Sequence, residues 1–162
     1  MIDALAQALH ASALAQVLRA SLWLYPLVNT AHLVGITLLV GGIVPLDLRL
    51  AGCWPRVPLA PLARVLLTSA IAGLALAIGS GALLFATRPL DYIGEPLFGL
   101  KLALLAAALV NALVLRRSPL WARVLRGESD APRPPVAWRV AGVASIALWL
   151  GVVTAGRLIG YR

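Results

Sequence analysis

LVNTAHLVGITLLVGGIVPL, residues 27–46, is the stretch that decides the fold. It runs for 20 residues without Asp, Glu, Lys or Arg. A helix rises about 1.5 Å per residue, so a run of this length matches a hydrocarbon core about 30 Å thick. With the residues before it, this stretch predicts a membrane-spanning helix over 22–46.

Three further apolar runs follow, at residues 62–85, 98–115 and 137–159, each separated from the next by polar or proline-rich segments. Connections of this length favour antiparallel packing of successive helices. We therefore predict an all-α integral membrane protein. Residues 21–162 are expected to form an up-down-up-down four-helix bundle.

The composition supports a membrane location. Hydrophobic residues make up 61% of the chain and charged residues 12%, against about 25% charged residues in ordinary soluble domains. The net charge is +8, but the basic residues cluster between the apolar runs. They indicate contact with lipid headgroups, and no nucleic-acid partner is expected.

The distribution of arginines predicts the orientation. Cytoplasmic loops of membrane proteins carry the excess of Lys and Arg. Here the excess lies in the first and third connections, at Arg49, Arg56, Arg64, Arg116, Arg117, Arg123, Arg126, Arg133 and Arg139. The chain is thus expected in a bacterial inner membrane, multi-pass, with the N-terminus and the C-terminus periplasmic.

Residues 1–20 show a different pattern. Apolar side chains recur there at helical spacing, at Ile2, Leu5, Leu9, Ala13 and Val17. This stripe predicts an amphipathic helix lying in the outer interface, with Trp23 and Tyr25 as aromatic anchors.

Small residues recur within the first two spans. One set is Ser69, Gly73, Ala77 and Gly81, and the other set includes Gly35 and Gly42 together with Leu39 and Leu46. Small residues at a spacing of about four allow two helix backbones to approach closely. We interpret both sets as packing faces within the bundle rather than as a dimer interface.

His32 is the most informative single residue, because it lies inside the first span, where ionisable groups are costly. It shares the face of Gly35 and Gly42, which points it into the bundle, and Asn29 lies one turn earlier. His32 is a candidate ligand for haem or another metal, or a proton-transfer group. The alternative is a neutral histidine that hydrogen-bonds a neighbouring helix.

A second group of polar residues lies on the same side as His32. Lys101 begins the third span, where it would snorkel to the interface or contact an anionic ligand such as a quinone or a lipid headgroup. The preceding loop carries Asp91, Tyr92 and Glu95, and Arg157 lies near the end of the last span. These residues are expected to surround the mouth of any site, with Arg157 able to tie the fourth span to the acidic loop.

The residue counts limit the cofactor chemistry. A six-coordinate haem b requires two axial ligands, usually His/His or His/Met. Besides His32, the chain offers only His10 and Met1. One haem is therefore compatible with the sequence, but two are not. The single cysteine, Cys53, excludes a cysteine cluster.

Several short motifs, taken in order along the chain, resemble those of a known protein family. The motifs are Trp23-x-Tyr25-Pro26, His32-x-x-Gly35, Asp47-Leu48-Arg49-Leu50, Asp91-Tyr92 and Pro96-x-Phe98-x-x-Lys101. In these motifs the chain resembles an uncharacterised family of small bacterial four-helix inner-membrane proteins. It is more distantly similar to the membrane domain of CopD-type copper-resistance proteins and to four-helix b-type cytochromes. The resemblance implies a redox, copper or haem context. Asn29 departs from the family pattern, which has a glutamate there, and Leu115-Arg116 stands where a histidine often follows an aromatic residue.

These observations favour a non-enzymatic membrane subunit or accessory protein. It would bind a small ligand, a haem or a quinone in a polar pocket under the outer face, through His32, Asn29 and Lys101. No hydrolase, kinase or metalloprotease motif is present. A homo-oligomeric channel or transporter, and a structural partner in a larger membrane complex, remain as alternatives.

Overall fold

The computed structural model describes residues 2–129 and 133–161, leaving Met1, one of the candidate haem ligands, outside the described part. The helices in chain order are α1 (Ile2–His10), α2 (Ala13–Ala20), α3 (Leu24–Ala51), α4 (Leu59–Thr87), α5 (Pro89–Tyr92), α6 (Pro96–Arg116), α7 (Pro119–Leu125) and α8 (Val136–Ile159). Helices α1, α2 and α5 lie at one end of the bundle, which we call the N-terminal end. The opposite end is the α7 end.

Four helices, α3, α4, α6 and α8, are long and apolar enough to cross a membrane. They match the four predicted spans and confirm the all-α four-helix bundle. Large apolar side chains such as Val65, Val110 and Val140 point outward and are more than half exposed. Outward apolar faces suit contact with lipid.

Helices α3 and α4 pack through the predicted small residues. A Cβ added at Gly35 would lie 2.6 Å from the backbone nitrogen of Ala77, and one at Gly42 would lie 2.6 Å from the Leu66 carbonyl oxygen. The two backbones are therefore in direct contact along an antiparallel pair. This confirms the prediction that these faces serve packing within the bundle.

On its other side α3 packs against α8, and α8 packs against α6. The second and third spans, α4 and α6, pack less closely than the prediction for successive spans implies. Among the described residues α4 and α6 share no extended backbone contact. The α4–α6 side of the bundle is thus its least closely packed side.

The N-terminal segment is helical as predicted, but it forms two helices. Ser12 separates them and caps α2 by accepting a hydrogen bond from the Ala15 backbone. Ala15 and Leu18 are buried, and α2 packs against α4, while Val17 is exposed. The predicted stripe is therefore not one continuous face. For Ile2 and Leu5 the structure describes the helical backbone but not the side chains.

The third connection contains a helix that the sequence analysis missed. Helix α7 buries Trp121 and Val124 against the α7 end, and the Trp121 ring meets the edge of Trp138 with centroids 5.6 Å apart. Arg64 of α4 donates two hydrogen bonds to the Leu125 carbonyl, at 2.8 and 3.3 Å. The α7 end is thus closed by an ordered helix.

Candidate functional site

His32 lies between α3 and α4, as its helical face predicted. Its Nδ1 is 3.1 Å from the Ser80 hydroxyl, and its Cε1 lies 3.0 Å from the position of a Cβ added at Gly81. Ser80 donates its own proton to the Leu76 carbonyl, at 2.5 Å. The Ser80 oxygen can therefore accept a hydrogen bond from the Nδ1–H of a neutral imidazole, which leaves Nε2 as an acceptor.

Lys101 extends along the inner side of α6 and packs on α8. Its Nζ is 3.4 Å from the position of a Cβ added at Gly156, so the missing side chain of Gly156 makes room for it. Lys101 is half-buried and lies near enough to His32 for the two side chains to interact electrostatically. His32, held against α4, and Lys101, held against α8, therefore lie at the same end of the bundle.

The remaining predicted site residues form separate contacts. Asn29 is exposed. Asp91 is exposed and pairs with Arg88 at 3.9 Å. Arg157 donates to the Tyr161 hydroxyl at 2.7 Å and lies over that ring, so its predicted tie to the acidic loop is not formed.

At the N-terminal end, Glu95 and Tyr92 stabilise the fold. Glu95 caps α6 by accepting a hydrogen bond from the Leu97 backbone at 3.4 Å. The Tyr92 ring packs at a tilt against Phe85 of α4 and Phe98 of α6, with ring centroids 5.8 and 5.2 Å away, and Phe85 and Phe98 stack on each other at 5.5 Å. This aromatic cluster bridges α4 and α6. Burial raises the pKa of the Tyr92 hydroxyl, with a further contribution from Tyr25.

His10 does not join His32 in a shared site. Its Nδ1 is 3.2 Å from Arg19, which also donates to the carbonyls of His10 and Thr87. His10 is therefore not placed to supply a second axial ligand for a haem bound at His32. In the described ranges, no three His, Cys, Asp or Glu side chains form a group suited to a metal ion.

The sequence analysis also missed a polar region at the α7 end. Helix α3 continues five residues beyond its predicted end, and it buries Asp47 and Arg49, which are 3% and 1% exposed. Arg49 donates to the Val57 carbonyl at 2.8 Å and so holds the α3–α4 connection. These charges do not simply mark the end of the span.

Asp47 faces α8 where that helix comes closest to α3. A Cβ added at Gly142 would lie 2.6 Å from the Asp47 backbone oxygen. One turn further along α8, Ser145 lies beside the Asp47 carboxylate. The close approach at Gly142 therefore also brings the Ser145 hydroxyl towards a buried acid.

A cavity of about 140 Å³ adjoins this carboxylate between the spans. Its wall is mostly apolar, and the residues in it with polar groups are Asp47, Asn111, Arg116, Trp121, Ser145 and Trp149. Asn111 donates to the Ala141 carbonyl at 3.0 Å, which fixes its amide against α8. The wall therefore combines an apolar lining with a few fixed polar groups, as ligand sites do.

The fold and these two polar regions define a class, a multi-pass membrane protein with four spanning helices and polar groups held between them. No protein-family model, curated protein or solved structure matches the chain.

Proposed function

We propose that this protein binds a lipid-soluble ligand with oxygen-containing polar groups, such as a quinone or quinol, at the N-terminal end between His32 and Lys101. The observation that carries the proposal is the position of the Lys101 amine. It is half-buried, it lies beside Gly156, and among the described residues no carboxylate forms an ion pair with it.

Lys101 supplies a hydrogen-bond donor in a region where a charged group is costly. Ionisable residues within spans usually pair with one another or serve a functional site. The nearby ionisable group, His32, is itself basic. A ligand oxygen that accepts from Lys101 would stabilise the amine.

His32 supplies the complementary group. Its contact with Ser80 orients the ring and leaves Nε2 available as an acceptor. A quinol hydroxyl can donate to Nε2 while another oxygen of the ligand accepts from Lys101. The Phe85, Tyr92 and Phe98 rings form an apolar cluster at the same end, suited to contact with a ring or an isoprenoid chain.

We further propose that the bundle lies in a bacterial inner membrane with its N-terminal end outward. The concentration of arginines at the α7 end supports this orientation. We rank ligand binding above a homo-oligomeric channel or transporter and above a purely structural role, because a bound ligand would give the inward Lys101 amine a hydrogen-bond partner.

Titration calorimetry in lipid nanodiscs, with decylubiquinone as the probe, tests the proposal. We expect saturable binding, weakened about tenfold or more by Lys101→Met, because hydrogen bonds to charged groups contribute about 1.5–3 kcal/mol. Arg157→Gln, at the same end but bonded to Tyr161, should leave the affinity unchanged. Absence of saturable binding, or equal affinity in Lys101→Met, would contradict the proposal.

A further inference from the structure

Three buried polar atoms at the cavity near the α7 end have no hydrogen-bond partner among the described residues. They are Oδ2 of Asp47 and the indole nitrogens Nε1 of Trp121 and Trp149. Their residues are 2–3% exposed, and all three line the same cavity. Buried polar atoms nearly always have a partner, so three of them around one cavity indicate that something occupies it.

The chemistry of these atoms restricts the occupant. Asp47 Oδ2 offers an acceptor when ionised, and each indole N–H is only a donor. A molecule that satisfies both kinds must itself donate and accept. A hydroxyl group donates and accepts hydrogen bonds through a single oxygen. An amine next to a carbonyl donates through its nitrogen and accepts through the carbonyl oxygen.

The size of the cavity restricts it further. Its volume is about 140 Å³, close to an engineered apolar cavity of about 150 Å³ in another protein that binds benzene. This space suits a single ring or a short branched chain. Haem is too large for it.

We propose that this cavity is a binding site for a small lipid-soluble molecule carrying a hydroxyl or amino group, with Asp47 as its acceptor and Trp121 and Trp149 as its donors. The proposal is independent of ligand binding at Lys101, because the two sites lie at opposite ends of the bundle.

The α4–α6 side provides a route of access from the lipid. The cavity wall includes Ile71 of α4 and Leu113 of α6, which are 49% and 53% exposed. These helices share no extended backbone contact in the described part of the chain. A molecule dissolved in the bilayer can therefore reach Asp47 between two apolar side chains, without crossing the polar ends of the bundle.

Phenol and benzene are the matched probes, because they share a ring and differ in the hydroxyl. Each is titrated into the ¹⁵N-tryptophan-labelled full chain in micelles, and the indole N–H signals are followed by NMR. Phenol should shift the Trp121 and Trp149 signals saturably. Benzene should bind about tenfold more weakly or worse, because a site with buried polar groups rejects an analogue that leaves them unpaired.

Two internal controls and two variants complete the test. The exposed Trp23 and Trp54 should show no saturable shift. Asp47→Leu should weaken phenol binding and narrow the difference in affinity between phenol and benzene, whereas Asp91→Leu, at the opposite end, should not. If Asp47→Leu does not fold, the comparison of the two probes on the unaltered chain still decides. Equal affinities for phenol and benzene, or phenol shifts at Trp121 and Trp149 that do not saturate, would overturn the proposal.

Discussion

Gly42 of α3 and Leu66 of α4 are in backbone contact, because a Cβ added at Gly42 would lie 2.6 Å from the Leu66 carbonyl oxygen. The adjacent residue, Gly41, has no atom within 4 Å of its own added Cβ. Two neighbouring glycines in one helix therefore have opposite environments.

This contrast predicts opposite effects of the same substitution. Gly42→Ala should lower the free energy of unfolding by about 1–3 kcal/mol, because the helices must separate to admit the methyl group. Gly41→Ala should leave it unchanged or raise it by up to about 1 kcal/mol, since alanine favours a helix more than glycine. Thermal unfolding in detergent measures both. Equal effects would contradict the close α3–α4 contact.

The docking of α7 depends on Arg64, whose guanidinium donates to the Leu125 carbonyl. Arg64→Gln should loosen α7 and speed tryptic cleavage after Arg123 and Arg126 by about tenfold, the effect of losing a charged hydrogen bond. Arg56→Gln changes an exposed arginine at the same end and should not alter the rate at these sites. Identical digestion of the two variants would show that Arg64 does not hold α7.

Tyr92 should make stability depend on alkaline pH. Its pKa is raised above the ordinary 10.0 by burial, so the folded chain keeps the hydroxyl neutral to a higher pH than the unfolded chain does. The stability from this shift is fully present below pH 10.0 and is lost as the pH rises through the raised pKa. Melting temperatures from about pH 9 to about pH 11 should fall less steeply for Tyr92→Phe than for the unaltered chain. Tyr161→Phe, at an exposed position, is the control, and an equal slope in Tyr92→Phe and the unaltered chain would count against the shift.

Cys53 reports the orientation directly, because it is the single cysteine of the chain and is exposed in the α3–α4 connection. If the α7 end is cytoplasmic, a membrane-impermeant maleimide should label Cys53 only after the cells are permeabilised. A Cys53→Ser, Asp91→Cys variant should show the reverse pattern, with labelling in intact spheroplasts. Labelling of Cys53 in intact spheroplasts would mean that the α7 end faces outward.

The four spans could be predicted because each is a long apolar run, and the small residues of α3 and α4 identified their contact face. The end of α3 could not be predicted in this way. Asp47 and Arg49 look like boundary charges in sequence, and their burial depends on distant partners such as Gly142 and Trp121. Hydropathy carries no information about such contacts.

Helix α7 had a local signal that the analysis passed over. Ser118 and Pro119 form a helix start, with Ser118 at the N-cap and Pro119 at the first helical position, and Trp121 and Val124 follow on one face. The high arginine content of the segment obscured this pattern. Its buried tryptophan then became part of a cavity that no local pattern would reveal.

For the candidate site, the sequence predicted that His32 points inward and that Lys101 lies at the same end. It could not identify Ser80 as the partner of His32 or Gly156 as the residue that makes room for Lys101. Both contacts depend on the register between helices, which is set by the packing of the whole bundle.

Photolabelling with an azido-quinone in native membranes, followed by mass spectrometry, locates the bound ligand. Labelled peptides should come from the N-terminal end, around His32 in α3 and Lys101 in α6, and excess unlabelled quinone should prevent the labelling. Labelling confined to the α7 end, or labelling that excess quinone does not reduce, would contradict ligand binding between His32 and Lys101.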